Sequence, residues 1–186
     1  VLAIGLVVPQ GRTGRVSGEG HVVAEGLRFD SRVLRVNLEN LHRFFAFVAT
    51  AGSELEGWAN AKTDALDRFY ADAINQAVVL SARSFMDRHL QQRYGLTKIA
   101  RMSPGSLADW PLEQQQVLFD LLGGTRDTIG VELTESLLMV PVKTVSGIVF
   151  ANEDGFTSCQ LCPRQDCPGR KAPYDEGLFK RKYHPP

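Results

Sequence analysis

The sequence predicts a single α+β domain, and three observations carry that reading. The chain has 186 residues, the size of one domain. Its 44% hydrophobic and 23% charged content matches globular averages and argues against disorder. Apolar runs of strand length and stripes of helical spacing occur without regular alternation, which disfavours a doubly wound α/β arrangement. The longest apolar run, residues 1–8, includes Gly5 and falls far short of the roughly 20 residues a membrane helix needs.

Residues 1–6 read as a helix end or a short strand. Gly11, Gly14, Gly18 and Gly20 punctuate the next segment, but their spacing is not a dinucleotide fingerprint. Residues 15–16 and 21–24 read as a hairpin, and residues 29–34 as a further strand. The run Phe-Phe-Ala-Phe-Val-Ala at 44–49 is wholly apolar and reads as a buried strand, its short length leaving helix as the alternative. Ser53 caps a helix through Trp58, with Glu54 and Glu56 in the first turn, where the dipole favours acids. Asp64 opens the strongest helix, which runs to about Arg93 and ends at Gly95. Ala73, Ala77, Leu80, Ile74, Val78 and Phe85 are its expected buried face. Residues 96–102 read as a strand and 103–106 as a turn. Pro111 starts a helix at 112–122, which Gly123-Gly124 ends. Residues 133–139 read as a helix broken by Pro141, and 145–150 as a strand.

Lysine plus arginine is 21 and aspartate plus glutamate is 21. This balance argues against a nucleic-acid partner, which calls for a basic excess. From Cys159 onward six basic residues face three acids. That tail is either a solvated surface or a docking surface for an acidic partner. All three cysteines, Cys159, Cys162 and Cys167, lie within nine residues. An odd count cannot pair fully within the chain, and no signal peptide is visible, so a reducing cytoplasm is expected.

Several stretches together resemble one family. They are Ser31-Arg-Val-Leu-Arg-Val-Asn-Leu38, Phe47-Val-Ala-Thr-Ala-Gly-Ser-Glu-Leu55, Arg101-Met-Ser-Pro-Gly105 and Trp110-Pro-Leu-Glu-Gln-Gln. The most specific is Ile129-Gly-Val-Glu-Leu-Thr-Glu-Ser-Leu-Leu-Met-Val-Pro-Val-Lys-Thr-Val-Ser-Gly147. They resemble, in order over residues 28–150, the activation (reactivation) domain of cobalamin-dependent methionine synthase and its stand-alone relatives. The resemblance implies a C-shaped α+β domain over residues 1–150, with a central twisted antiparallel sheet flanked by helices. It also implies a ligand site for S-adenosylmethionine, a corrinoid-binding partner that carries the cobalamin, and an electron-donor protein. The cofactors carry the chemistry and the domain positions them.

The family's ligand loop, Arg-x-x-x-Gly-Tyr, is matched by Arg101, Ser103 and Gly105. Arginine suits the ligand's carboxylate because its planar fork donates two hydrogen bonds. Glu135 is a further candidate contact, with backbone bridging as its structural alternative. Ser106 stands where the family has tyrosine, and Val79 falls near an expected acid. The late tyrosine falls on Phe156 or Thr157. S-adenosylmethionine binding is therefore expected to be weak or absent.

Residues 151–186 are expected to form a cysteine-cluster extension packed on this domain. Thiolate ligation of an iron–sulfur cluster by Cys159, Cys162 and Cys167 fits a tight loop with Pro163 and Pro168 after two of them. A zinc site would need a fourth ligand such as Asp166 or His184. A Cys159–Cys162 dithiol is the third reading. The four histidines suggest no catalytic triad. The function expected is an accessory to a corrinoid protein, assisting reductive reactivation or methyl transfer. The alternative is a non-catalytic module with a structural metal site that docks a partner.

Overall fold

The structure, a computed structural model, describes residues 3–7 and 20–183. Part of the expected hairpin, Arg15 and Val16, lies outside the described residues, as does His184. The fold is α+β. Strands β1 (Ala3–Val7), β4 (Phe44–Thr50), β8 (Thr144–Ala151) and β5 (Ile99–Met102) form an antiparallel sheet in the order β1-β4-β8-β5. Two hairpins accompany it: β2 (His21–Ala24) with β3 (Leu27–Asp30), and β6 (Glu132–Leu133) with β7 (Met139–Val140). The helices are α1 (Arg32–Leu38), α2 (Ser53–Asn60), α3 (Ala65–Tyr94), α4 (Gln114–Leu122) and α5 (Thr125–Ile129).

Every residue of β4 is buried, which explains its unbroken apolar sequence. Side chains alternate across a strand, so both faces must be covered. Phe45 and Phe47 pack with Met86 and Leu90 of α3. Phe44, Ala46 and Val48 join the larger core with Leu34, Leu38, Trp110 and Leu118.

The long helix begins and ends as expected. Asp64 Oδ1 accepts from the backbone N–H groups of Leu66 and Asp67, and Gly95 closes the C-terminus. Its expected buried face is wrong. Ala73, Ile74, Ala77, Leu80 and Phe85 are exposed, and the buried stripe is Ala71, Asn75, Val79, Ala82, Met86 and Leu90. The sheet already supplies bulky phenylalanines at this interface, so the helix contributes several smaller residues there.

Two other expectations are corrected. Residues 29–34 are not one strand: β3 ends at Asp30 and α1 starts two residues later. The Ser31 hydroxyl caps that helix by accepting from Leu34 N–H, and donates to Asp109 Oδ2 at 2.5 Å. Residues 133–139 form part of the β6–β7 hairpin. Thr134 turns it, its hydroxyl accepting from Leu138 N–H.

The C-terminal segment is anchored in the core. Phe156 stacks on Phe150, and Tyr183 meets Phe156 edge-on. Tyr183 is fully buried and donates to Asn37 Oδ1 at 3.3 Å. Burial pushes its phenol up to about 12, only partly opposed by the Asn37 bond. The native state therefore keeps a proton that the unfolded chain releases near pH 10. This contribution is intact below pH 10 and disappears as pH rises through 12. Urea unfolding should show about 2–3 kcal/mol lost across that window relative to a Tyr183→Phe variant. Equal pH profiles for the two proteins would refute it.

Candidate functional site

Arg101 lies on β5, one residue before Met102 ends the strand. Residues 103–110 then turn tightly. Gly105 N–H donates to Trp110 O at 2.8 Å, and Ser106 N–H to Ser103 O at 3.1 Å. Gly105 has φ +77°, and a Cβ there would sit 3.1 Å from Leu112. Ser103 is committed to the scaffold, its hydroxyl donating to Ser146 O at 2.6 Å. Ser103 and Gly105 thus shape the loop. Glu135 stands exposed in the β6–β7 turn, and no described ion pair or hydrogen bond joins it to Arg101.

Three residues around this strand carry no flag in the sequence. Asp87 of α3 pairs with Arg101, the two side chains being 18% and 25% exposed. Arg83, one turn earlier, has its guanidinium pKa lowered by burial first and then by the charge of Arg101, against the opposing pull of Asp87. Asp87 is thus paired with Arg101, and Arg83 feels the charge of both from one turn away. Arg83 Nε, Arg101 Nε and Asp87 Oδ1 are all buried without a protein partner. The third is Asp109, whose carboxylate accepts from Ser31 Oγ and from Val33 N–H, fastening the loop to α1. The long helix does supply an acid to the site, but at Asp87. Val79 is buried in the helix's inward stripe. Phe156, near the expected late tyrosine, is 5% exposed and belongs to the core.

The cysteine loop adjoins this strand. Ser158 Oγ donates to Arg101 O at 3.2 Å, which sets the 3-10 turn Ser158–Leu161 against β5. Arg170 organises the loop. Its Nη1 donates to Cys159 O and Ala172 O at 3.1 Å each, and its Nη2 to Cys162 O at 3.1 Å and to Arg164 O. The three cysteines are half-buried free thiols, and Cys162 packs against the main core. Burial alone would raise the Cys159 thiol. Hydrogen bonds from Lys171, Thr157 and Ala172, together with the Arg170 charge, outweigh it and hold that thiol below the usual range.

Among the described residues, no group of three or more His, Cys, Asp or Glu side chains is gathered to hold a metal ion. Cys159, Cys162 and Cys167 are accordingly neighbours in one loop without forming such a group among the described residues. Arg170 clamps the loop through its backbone carbonyls. Nor does any described helix have the length and apolarity to cross a membrane. A cavity of about 560 Å³ lies elsewhere, lined by Asn37, His42, Arg43, Tyr94, Asn152 and Lys182 among others, and includes none of the predicted site residues.

Fold and site together define an α+β module with an antiparallel sheet whose edge strand β5 carries the paired Arg101 and ends in a tight loop. Residues 59–157 match the family described as vitamin B12 dependent methionine synthase, activation domain. The chain belongs to that family. A solved structure titled as the MetH reactivation domain bound to AdoHcy shares the fold, with a TM-score of 0.51 and 21% identity. That match covers 61% of this chain and 41% of the other, so this chain spans about two fifths of its length. Comparison with curated proteins gives no match.

Proposed function

We propose that this chain is a cytoplasmic reactivation module that docks a corrinoid-binding protein and helps return its inactive cobalt to a methyl-accepting state. Residues 1–150 act as the activation domain, and residues 151–186 as an extension that carries the thiols beside the Arg101 strand. The observation that carries this reading is the Arg83–Asp87–Arg101 group. Two buried Nε–H donors and one buried carboxylate oxygen lack protein partners there. Their polarity complements a carboxylate and an ammonium, the two ends of an amino-acid moiety, and unmet buried donors favour such a ligand. The AdoHcy of the similar solved structure carries both groups.

The aromatic wall is missing at Ser106, which is exposed and bonded back to Ser103 O. We therefore assign S-adenosylmethionine a low affinity at this site. Each lost contact of about 1–3 kcal/mol weakens binding roughly 5- to 150-fold. The protein's contribution to chemistry is positional: it holds the ligand's polar end and aligns its own loop with the corrinoid. A separate electron-donor protein supplies the reductant.

The test mixes the protein with corrinoid proteins of its own genome and follows the cobalt(II) absorbance under a low-potential reductant. The wild type should accelerate reduction or methylation, and Arg101→Ala should abolish the effect. Calorimetry should give an S-adenosylmethionine dissociation constant of about 100 μM or weaker. A low-micromolar constant would overturn the low-affinity assignment. No interaction with any corrinoid protein at about 50 μM would overturn the function.

A further inference from the structure

Helix α3 carries two apolar faces. The inner one packs on the sheet. The outer one runs Leu66, Tyr70, Ala73, Ala77, Leu80 and Ser84, a four-three-four-three-four spacing that is the seam of a coiled coil. Leu66 is 60% exposed and Tyr70 56%, and they are flanked by Phe69 at 68% and Ile74 at 47%. Large apolar side chains exposed together on one helix face mark an interaction surface more often than singly scattered ones do.

We infer that this face is a two-fold interface with a second copy of the chain, the two α3 helices packing antiparallel about the level of Asn75. The sequence of the stripe complements itself in that register. Ala73 meets Ala77 of the second copy, which lets the backbones approach closely at the centre. Tyr70 lies opposite Leu80, and Leu66 opposite Ser84. Every contact is repeated by symmetry, as an isologous interface requires. Charge selects the same direction. The N-terminal end of α3 bears Asp64 and Asp67, and the C-terminal end bears Arg88 and Arg93. Antiparallel packing sets Asp67 on the same edge as Arg88 of the second copy, twice per dimer. Parallel packing would align acid with acid and base with base. The helix dipoles favour the antiparallel arrangement as well.

Sedimentation velocity on the full chain between about 1 and 200 μM reads this directly. The wild type should sediment as a dimer over the upper part of that range. Ala77 is exposed, so Ala77→Arg should leave the melting curve unchanged at about 1 μM, where both proteins are monomeric, while weakening association about a hundredfold. Asp67→Arg should weaken it about tenfold, and the Asp67→Arg/Arg88→Asp pair should restore it. A monomer across the range, or a dimer indifferent to Ala77→Arg, would overturn the proposal. Failure of the charge exchange to restore association would overturn the antiparallel register. Neither result bears on corrinoid docking, which the cobalt assay reads separately.

Discussion

Gly147→Ala is expected to destabilise the protein by about 3 kcal/mol, at the upper end of what overpacking costs. A Cβ at this position would lie 2.4 Å from Met102 O and 2.7 Å from Ser103 Oγ. The first neighbour is backbone, fixed by the β5–β8 register that pairs Met102 with Ile148. On another side Phe47 Cε1 stands at 3.2 Å, so the added methyl has no free direction. Relief requires the end of β5 to move off β8. That movement also breaks the Ser103–Ser146 bond and displaces Arg101. Urea denaturation should therefore show the stability loss, and the cobalt assay should show lost activity even at temperatures where the variant stays folded. Gly57→Ala is the control. It lies inside α2 with nothing within 4 Å of the added carbon, and should stabilise by about 0.5–1 kcal/mol. Equal behaviour of the two variants would refute the close-packing account.

Gly147 also shows what a sequence can and cannot disclose. It closes the longest stretch that resembles the family, so its position was legible, but its reason lies in a strand 45 residues earlier. The elements set by local chemistry were legible too: β4 by its unbroken apolar run, α3 by Asp64 and Gly95, α4 by Pro111 and the paired glycines. Errors arose where a distant partner decides. Residues 29–34 read as one strand. Ser31 and Asp109 together cap a helix there, and Asp109 comes from a loop 78 residues away. On α3 two apolar stripes compete, and the one richer in large side chains faces outward. No periodicity argument separates them, because the choice is made by Phe45 and Phe47 across the interface. The candidate site was half legible. Arg101, Ser103 and Gly105 carry the motif, whereas Asp87 and Arg83 are ordinary charged residues of a long helix until the fold sets them beside β5. The cysteine cluster was a true feature of spacing, yet spacing does not report the Arg170 clamp.

The second large effect concerns that clustered charge. Asp87→Ala should destabilise by about 2–3 kcal/mol, less than the roughly 3–5 of a fully buried pair because both partners keep some solvent contact. The variant leaves Arg83 and Arg101 facing each other without a counter-charge. Arg101→Ala should cost distinctly less, since Asp87 keeps the nearby positive charge of Arg83 and the repulsion between the two guanidiniums disappears. The order matters more than either value: a simple one-to-one ion pair would make the two truncations alike. The double variant Asp87→Ala/Arg101→Ala should then be more stable than Asp87→Ala alone, a coupling that a double-mutant cycle isolates. Added carboxylate or phosphate should rescue Asp87→Ala and leave the wild type almost unmoved, because only the variant offers an unneutralised pair of guanidiniums. Additive single-variant effects, or rescue equal in both proteins, would show that the three residues do not act as one site. In that event the ligand site proposed on this strand would lose its basis.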